Sequence, residues 1–156
     1  MELEKAVGHI VIDQELCAGC RTCMAVCSLC HNGDVSPELS GIQVMWFPRE
    51  GGVVDSNVCQ QCERPECLAI CETGALYIDE KTSARVIDQK KCIGCRMCQD
   101  ACRNKTRDRH YCGDGLSPIR YNTEKNVCFK CELCGGDPQC VKLCPMEALS
   151  FTKSEA

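Results

Sequence analysis

The chain has 156 residues and 19 cysteines, about one residue in eight, a density at which cysteines rather than apolar side chains organise a fold. Leu, Ile, Val and Phe together make up roughly a fifth of it, too little for a purely hydrophobic core. The formal net charge of −4 offers nucleic acid no attraction. No run approaches the ~18 apolar residues of a membrane span, and Met1 to Lys5 reads as neither a leader peptide nor a twin-arginine signal. The expectation is a cytoplasmic chain with no nucleic-acid partner and no direct membrane span, in a reducing compartment where thiols serve metals rather than disulfides.

In chain order, His9-Ile10-Val11-Ile12 reads as a strand, and Met24-Ala25-Val26 as part of one or two helical turns inside the first cysteine motif. Ile42 to Trp46 follows as a strand, with Met45, Trp46 and Phe47 read as core. Leu68-Ala69-Ile70 supplies a second helical turn. Ala75 to Ile78 and Arg85 to Ile87 read as a hairpin turning at Glu80-Lys81-Thr82-Ser83, Arg103 to Asn126 as an irregular insertion, and Leu149-Ser150-Phe151 as a closing strand.

The sequence repeats. Val11-Ile12-Asp13-Gln14 recurs as Val86-Ile87-Asp88-Gln89, and Cys17, Gly19, Cys20, Arg21, Cys23 and Cys27 recur as Cys92, Gly94, Cys95, Arg96, Cys98 and Cys102. Cys59-Gln60-Gln61-Cys62 matches Cys131-Glu132-Leu133-Cys134. After one inserted residue, Pro65, Cys67, Cys71 and Ala75-Leu76 match Pro138, Cys140, Cys144 and Ala148-Leu149. Residues 1–156 thus read as one domain of two pseudo-repeats, about 8–79 and 83–152, with the insertion at about 103–126.

Motifs one and three, Cys17-x2-Cys20-x2-Cys23-x3-Cys27 and Cys92-x2-Cys95-x2-Cys98-x3-Cys102, have the spacing with which bacterial ferredoxins hold 4Fe-4S clusters. Two intervening residues let a tight loop present three thiolates to one cubane, while the fourth, on a helical turn, reaches a second cluster. Motifs two and four, Cys59-x2-Cys62-x4-Cys67-x3-Cys71 and Cys131-x2-Cys134-x5-Cys140-x3-Cys144, lengthen the middle loop. Gly19 and Gly94 bring backbone to the cluster without a side chain. Structural zinc uses paired cysteines and gains nothing from a third thiol two residues on. The Cys23-x3-Cys27-x2-Cys30 spacing of radical S-adenosylmethionine enzymes is discounted, because Cys17 and Cys20 already claim Cys23. Spacing alone leaves open whether motif one pairs with two and three with four, or whether the pairs nest.

From about Val11 to Phe151 the chain resembles the four-cluster ferredoxin-type electron-transfer subunits of molybdenum or tungsten pterin oxidoreductases, formate dehydrogenases and some hydrogenases. Cys27-Ser28-Leu29-Cys30-His31-Asn32-Gly33 followed by Ser36-Pro37-Glu38-Leu39-Ser40-Gly41-Ile42 is similar to the small subunits of tungsten aldehyde oxidoreductases and of tungsten-dependent, class II benzoyl-coenzyme A reductases. The resemblance implies an α+β, tandem ferredoxin-like fold organised around four 4Fe-4S clusters and no catalytic residues. It implies nested ligand sets of Cys17, Cys20, Cys23 and Cys144; Cys27, Cys131, Cys134 and Cys140; Cys59, Cys62, Cys67 and Cys102; and Cys71, Cys92, Cys95 and Cys98. It further implies an anaerobic electron-transfer role beside a large pterin-dependent catalytic subunit, with a flavin subunit or ferredoxin at the other end. A free polyferredoxin is the alternative, as is an electron-transfer subunit of a hydrogenase or formate dehydrogenase.

Two features depart from that pattern. The proline expected after each fourth cysteine survives only as Pro145, with Ser28, Glu72 and Arg103 at the other positions, and the basic run Arg103, Lys105, Arg107, Arg109 and His110 has no counterpart. Cys30, Cys112 and Cys128 fall outside the four motifs and are read as small buried side chains or free thiols. The fallback is three clusters with zinc or an altered site built with His31 or His110. Met24 and Met97 are read as apolar cover around a cluster.

Overall fold

In a computed structural model, residues 5–47, 51–103 and 117–153 are described. Cys112, His110 and the rest of the basic run beyond Arg103 (Lys105, Arg107 and Arg109) therefore lie outside the described residues. The strands are β1 (Gly8–Ile12), β2 (Ile42–Phe47), β3 (Val53–Val58), β4 (Leu76–Ile78), β5 (Arg85–Ile87), β6 (Arg120–Asn122), β7 (Val127–Phe129) and β8 (Leu149–Lys153). The helices are α1 (Thr22–Asn32), α2 (Glu66–Ala69), α3 (Met97–Ala101) and α4 (Gln139–Lys142). The order strand, helix, hairpin, helix, strand occurs twice.

Every ladder among the described residues is a two-stranded antiparallel ribbon: β1 with β8, β2 with β3, β4 with β5 and β6 with β7. Such ribbons are marginal alone, so they must be held from inside. They enclose two clusters of buried side chains in which cysteines are full members. In the first, Ile10, Met24, Ile42, Val44, Val58 and Leu133 surround Cys23 and Cys140. In the second, Leu76 and Ile119 surround Cys98 and Cys128. Helix α1 packs on α4, and α2 on α3.

The outer strands, the β4/β5 hairpin and the short helices follow the sequence reading. The differences have local causes. Helix α1 runs past Cys27 to Asn32, because Ser28 rather than proline follows that cysteine. The Ser28 hydroxyl donates back to the Ala25 carbonyl at 3.0 Å and accepts the Ser36 N–H at 3.0 Å. Strand β3 has no counterpart in the sequence reading; it follows the Gly51-Gly52 turn and pairs along all of β2. Residues read as the tail of the insertion form β6, which pairs with β7 in register Arg120 to Phe129. Trp46, expected in the core, is 55% exposed, paired with Val54 near the turn end of the β2/β3 ribbon.

Candidate metal centres

The loop of each motif turns through a left-handed residue just before its second cysteine: Gly19, Gln61, Gly94 and Leu133 have φ of 70°, 50°, 71° and 67°. In motifs one and three a second left-handed residue, Arg21 or Arg96, then opens α1 or α3. The chain therefore curls back on itself and turns its thiols inwards. The third cysteine goes deepest in motifs one, three and four, where Cys23, Cys98 and Cys140 are buried; in motif two the first, Cys59, is buried and Cys67 is half-buried.

The helices carry each fourth cysteine into another loop's territory. Cys17, Cys20 and Cys23 line one cavity together with Cys144 from the last motif. Cys131, Cys134 and Cys140 line a second, of about 160 Å³, together with Cys27 from α1. Cys92, Cys95 and Cys98 line a third together with Cys71. Cys67 interacts electrostatically with Cys59, Cys62 and Cys102, which places the remaining motif thiols around it. The packing of α1 on α4 and of α2 on α3 is what exchanges the fourth cysteines, one with four and two with three.

Burial and mutual repulsion shape the thiols. Burial pushes Cys23 up to about 12, with Cys17, Cys20 and Cys144 adding to it. It pushes Cys67 up to about 11 and Cys140 up to about 12, and drives Cys131 higher than its ordinary value as well. Clustered buried thiols of this kind suit a metal that takes their protons and supplies positive charge. Backbone N–H groups point at the sulfurs as they would at thiolates: Gly41 donates to Cys27 at 3.3 Å, Leu76 to Cys71 at 3.4 Å and Cys128 to Cys92 at 3.2 Å. This all-sulfur donor chemistry fits iron-sulfur clusters.

The other candidates separate clearly. Cys30 is exposed. Cys128, 1% exposed, lines the cavity of Cys92, Cys95 and Cys98 rather than that of its own motif. His31 Nε2 lies 3.4 Å from Cys134 Sγ and 3.4 Å from a Glu132 carboxylate oxygen, a mixed group on the rim of the second cavity. Met24 is buried and its sulfur accepts the Val44 N–H at 3.3 Å. Met97 covers the third cavity but remains 40% exposed. Arg103 pairs with Glu66 across the α2/α3 face. Sequence reasoning missed two buried cations, Arg85 and Lys130; no local signal distinguishes them from surface charges.

Comparison with known proteins agrees with this chemistry. Residues 52–154 match the family profile of the 4Fe-4S dicluster domain. The polyferredoxin-like subunit of aliphatic sulfonate oxidoreductase from Pyrococcus furiosus is 40% identical over 136 residues, covering 86% of this chain and 70% of the relative. The thiosulfate reductase electron transfer subunit PhsB of Salmonella typhi is 32% identical over 154 residues, with 89% of this chain and 72% of the relative covered. The active site complex BamBC of benzoyl coenzyme A reductase with zinc shares the fold at a TM-score of 0.54 and 22% identity, over 98% of this chain and 82% of that one.

Proposed function

The chain belongs to the 4Fe-4S dicluster domain family, and from that premise we propose that it carries electrons through four 4Fe-4S clusters between a tungsten or molybdenum pterin catalytic subunit and an external donor or acceptor. It is an iron-sulfur electron-transfer protein of the kind that accompanies oxidoreductases, as the names of its relatives state of them, and is not catalytic by itself. The observation that carries the reading is the gathering of sixteen motif cysteines into four groups of four, each completed by a thiol from a distant motif.

In this reading the groups are the ligand sets: Cys17, Cys20, Cys23 and Cys144; Cys27, Cys131, Cys134 and Cys140; Cys59, Cys62, Cys67 and Cys102; and Cys71, Cys92, Cys95 and Cys98. A cluster bound at each set supplies a one-electron couple. The chain's residues set the order of the sites. Helices α1 and α4 join the first set to the second, and α2 and α3 join the third to the fourth. Between the second and third sets, the Gln61 side chain donates to the Cys131 carbonyl at 3.0 Å. The result is a line of four sites in one body built from two pseudo-repeats. The run from Cys27 to Ile42, with α1 continued to Asn32 and tied by Ser28 to Ser36, supports a tungsten-enzyme partner through its resemblance to those small subunits.

Anaerobic purification tests the reading. The holoprotein should hold about sixteen irons and as many labile sulfides per chain and exchange electrons with a low-potential dye. It should convert no aldehyde, acyl-coenzyme A, formate or hydrogen until a catalytic subunit is added. About twelve irons with one zinc would overturn the four-cluster count, and turnover by the isolated chain would overturn the electron-transfer role.

A further inference from the structure

Among the described residues the buried cations are Arg85 and Lys130, 1% and 7% exposed, and both face the thiols of Cys59, Cys62 and Cys67, with Lys130 lying between these and Cys131. The Lys130 ammonium donates to Cys59 Sγ at 3.1 Å and lies 3.5 Å from the Cys131 carbonyl. Arg85 donates through Nη1 to the Ser83 carbonyl at 2.6 Å, but its Nε and Nη2 are buried without a hydrogen-bond partner. Its electrostatic partners are, in order, Cys62, Cys59 and Cys67, and only then the carboxylate of Glu63. A guanidinium left this way in a protein interior is costly unless negative charge faces it.

The repeat supplies an internal control. Arg85 stands immediately before Val86-Ile87, where Ile10 stands before Val11-Ile12; Lys130 stands immediately before Cys131, where Val58 stands before Cys59. Ile10 and Val58 are as deeply buried as their cationic counterparts. Ile10 lines the cavity of Cys27, Cys131, Cys134 and Cys140, on whose rim sits the Glu132 carboxylate. Equivalent places thus hold Ile10 beside one inner thiol group and Arg85 facing the other, while Lys130, which also lines the cavity of Cys27, Cys131, Cys134 and Cys140, spends its ammonium hydrogen bond on Cys59.

We propose that Arg85 and Lys130 are potential-setting residues that make the site of Cys59, Cys62, Cys67 and Cys102 the most readily reduced in the chain. The inference rests on the four-set reading above. Reduction there takes one electron from a one-electron donor, a viologen dye or a reduced neighbouring site, and adds one negative charge while no bond breaks and no proton moves. Fixed buried cations stabilise the reduced state more than the oxidised one. Electrons entering at either end of the line then collect at this inner site.

The test is an EPR-monitored redox titration of the anaerobic holoprotein, with iron counted in every sample. Lys130→Met should lower the highest midpoint by at least tenfold in the reduction equilibrium, about 59 mV for one electron, move that of the adjoining Cys27, Cys131, Cys134 and Cys140 site by less, and leave the two outer ones in place; Lys130→Arg should restore it. Arg85→Met should act in the same direction, with Arg85→Lys as its rescue. Where Arg85→Met does not fold, the Lys130 pair decides. Cys67→Ser should alter the EPR signal of that same transition, tying the midpoint to the site. Four clusters with an unmoved highest midpoint in Lys130→Met would overturn the inference alone, as would an equal shift of all four. A wild-type chain lacking a cluster at this set would overturn the four-set reading and the inference with it.

Discussion

The compact loops of motifs one and three and the longer loops of motifs two and four make the same left-handed turn before their second cysteine, but fill it differently. Glycine occupies it in the compact pair, Gly19 and Gly94, where the left-handed conformation costs nothing. Gln61 and Leu133 occupy it in the longer pair, each accepting about 1 kcal/mol or more of backbone strain. The difference follows from what lies alongside. A Cβ at Gly94 would run into the Asn126 backbone carbonyl and its Oδ1 at 2.9 Å. The Gln61 side chain instead takes the Arg85 N–H at 2.8 Å and donates to the Cys131 carbonyl at 3.0 Å, and Leu133 is fully buried in the first core cluster. The turn is set by the need to present thiols; the residue that makes it is chosen by whether a side chain there has something to hold.

The largest way to break that comparison is Gly94→Ala. The obstructing atoms belong mainly to the backbone of Asn126 and cannot swing aside, so the chain should lose the site of Cys71, Cys92, Cys95 and Cys98, and anaerobic iron should fall by about four per chain. Gly19→Ala meets only the Val54 side chain, at 3.0 Å, and should keep its iron at reduced thermal stability. Equal iron contents in the two variants would show that left-handed strain, rather than the neighbour, sets the requirement.

Next in size is Leu133→Ala, which empties a fully buried position and keeps the left-handed strain; it should cost about 2–5 kcal/mol, read as an earlier anaerobic thermal transition. Gln61 sharpens the point further. Both Gln61→Ala and Gln61→Gly remove the hydrogen bonds to Arg85 and Cys131, at about 1–2 kcal/mol in all, but glycine recovers the strain. The glycine variant should therefore be the more stable by about 1 kcal/mol, an ordering opposite to that of an ordinary helical or strand site.

The motif loops, the outer strands and the central hairpin are legible in the sequence because cysteine spacing and period-two apolar runs are local signals. Strand β3 is not, since Val53-Val54-Asp55-Ser56-Asn57-Val58 alternates poorly; only Gly51-Gly52 hints that β2 turns back. Strand β6 is hidden in a stretch with no partner in the other half. Trp46 reads as core because large apolar side chains are usually buried, whereas here clusters of thiols already fill the interior beside β2. Arg85 and Lys130 escape notice for a related reason. A buried cation among sulfurs looks like any surface charge until its neighbours are placed, and those neighbours come from Cys59 and Cys62, distant in sequence.

The smallest expected effect concerns a position where the two halves differ by a single atom. Cys128 stands three residues before Cys131, as Ser56 stands three before Cys59. Ser56 lines the cavity of Cys17, Cys20, Cys23 and Cys144, and Cys128 lines that of Cys71, Cys92, Cys95 and Cys98. The Ser56 hydroxyl donates to the Gln14 carboxamide at 2.8 Å, whereas the Cys128 thiol shares a hydrogen bond with Cys98. Cys128 meets Cys92 through its backbone N–H at 3.2 Å, which serine retains, and through its side chain, where a serine hydroxyl can also donate. Cys128→Ser should therefore keep all the proposed clusters and change stability by less than about 1 kcal/mol, while Cys134→Ser, at a proposed ligand position, should cost one cluster by iron analysis. Loss of iron from Cys128→Ser with full iron in Cys134→Ser would reverse the assignment of motif four and would make Cys128 and Cys131, not Cys131 and Cys134, the pair that matches Cys59 and Cys62.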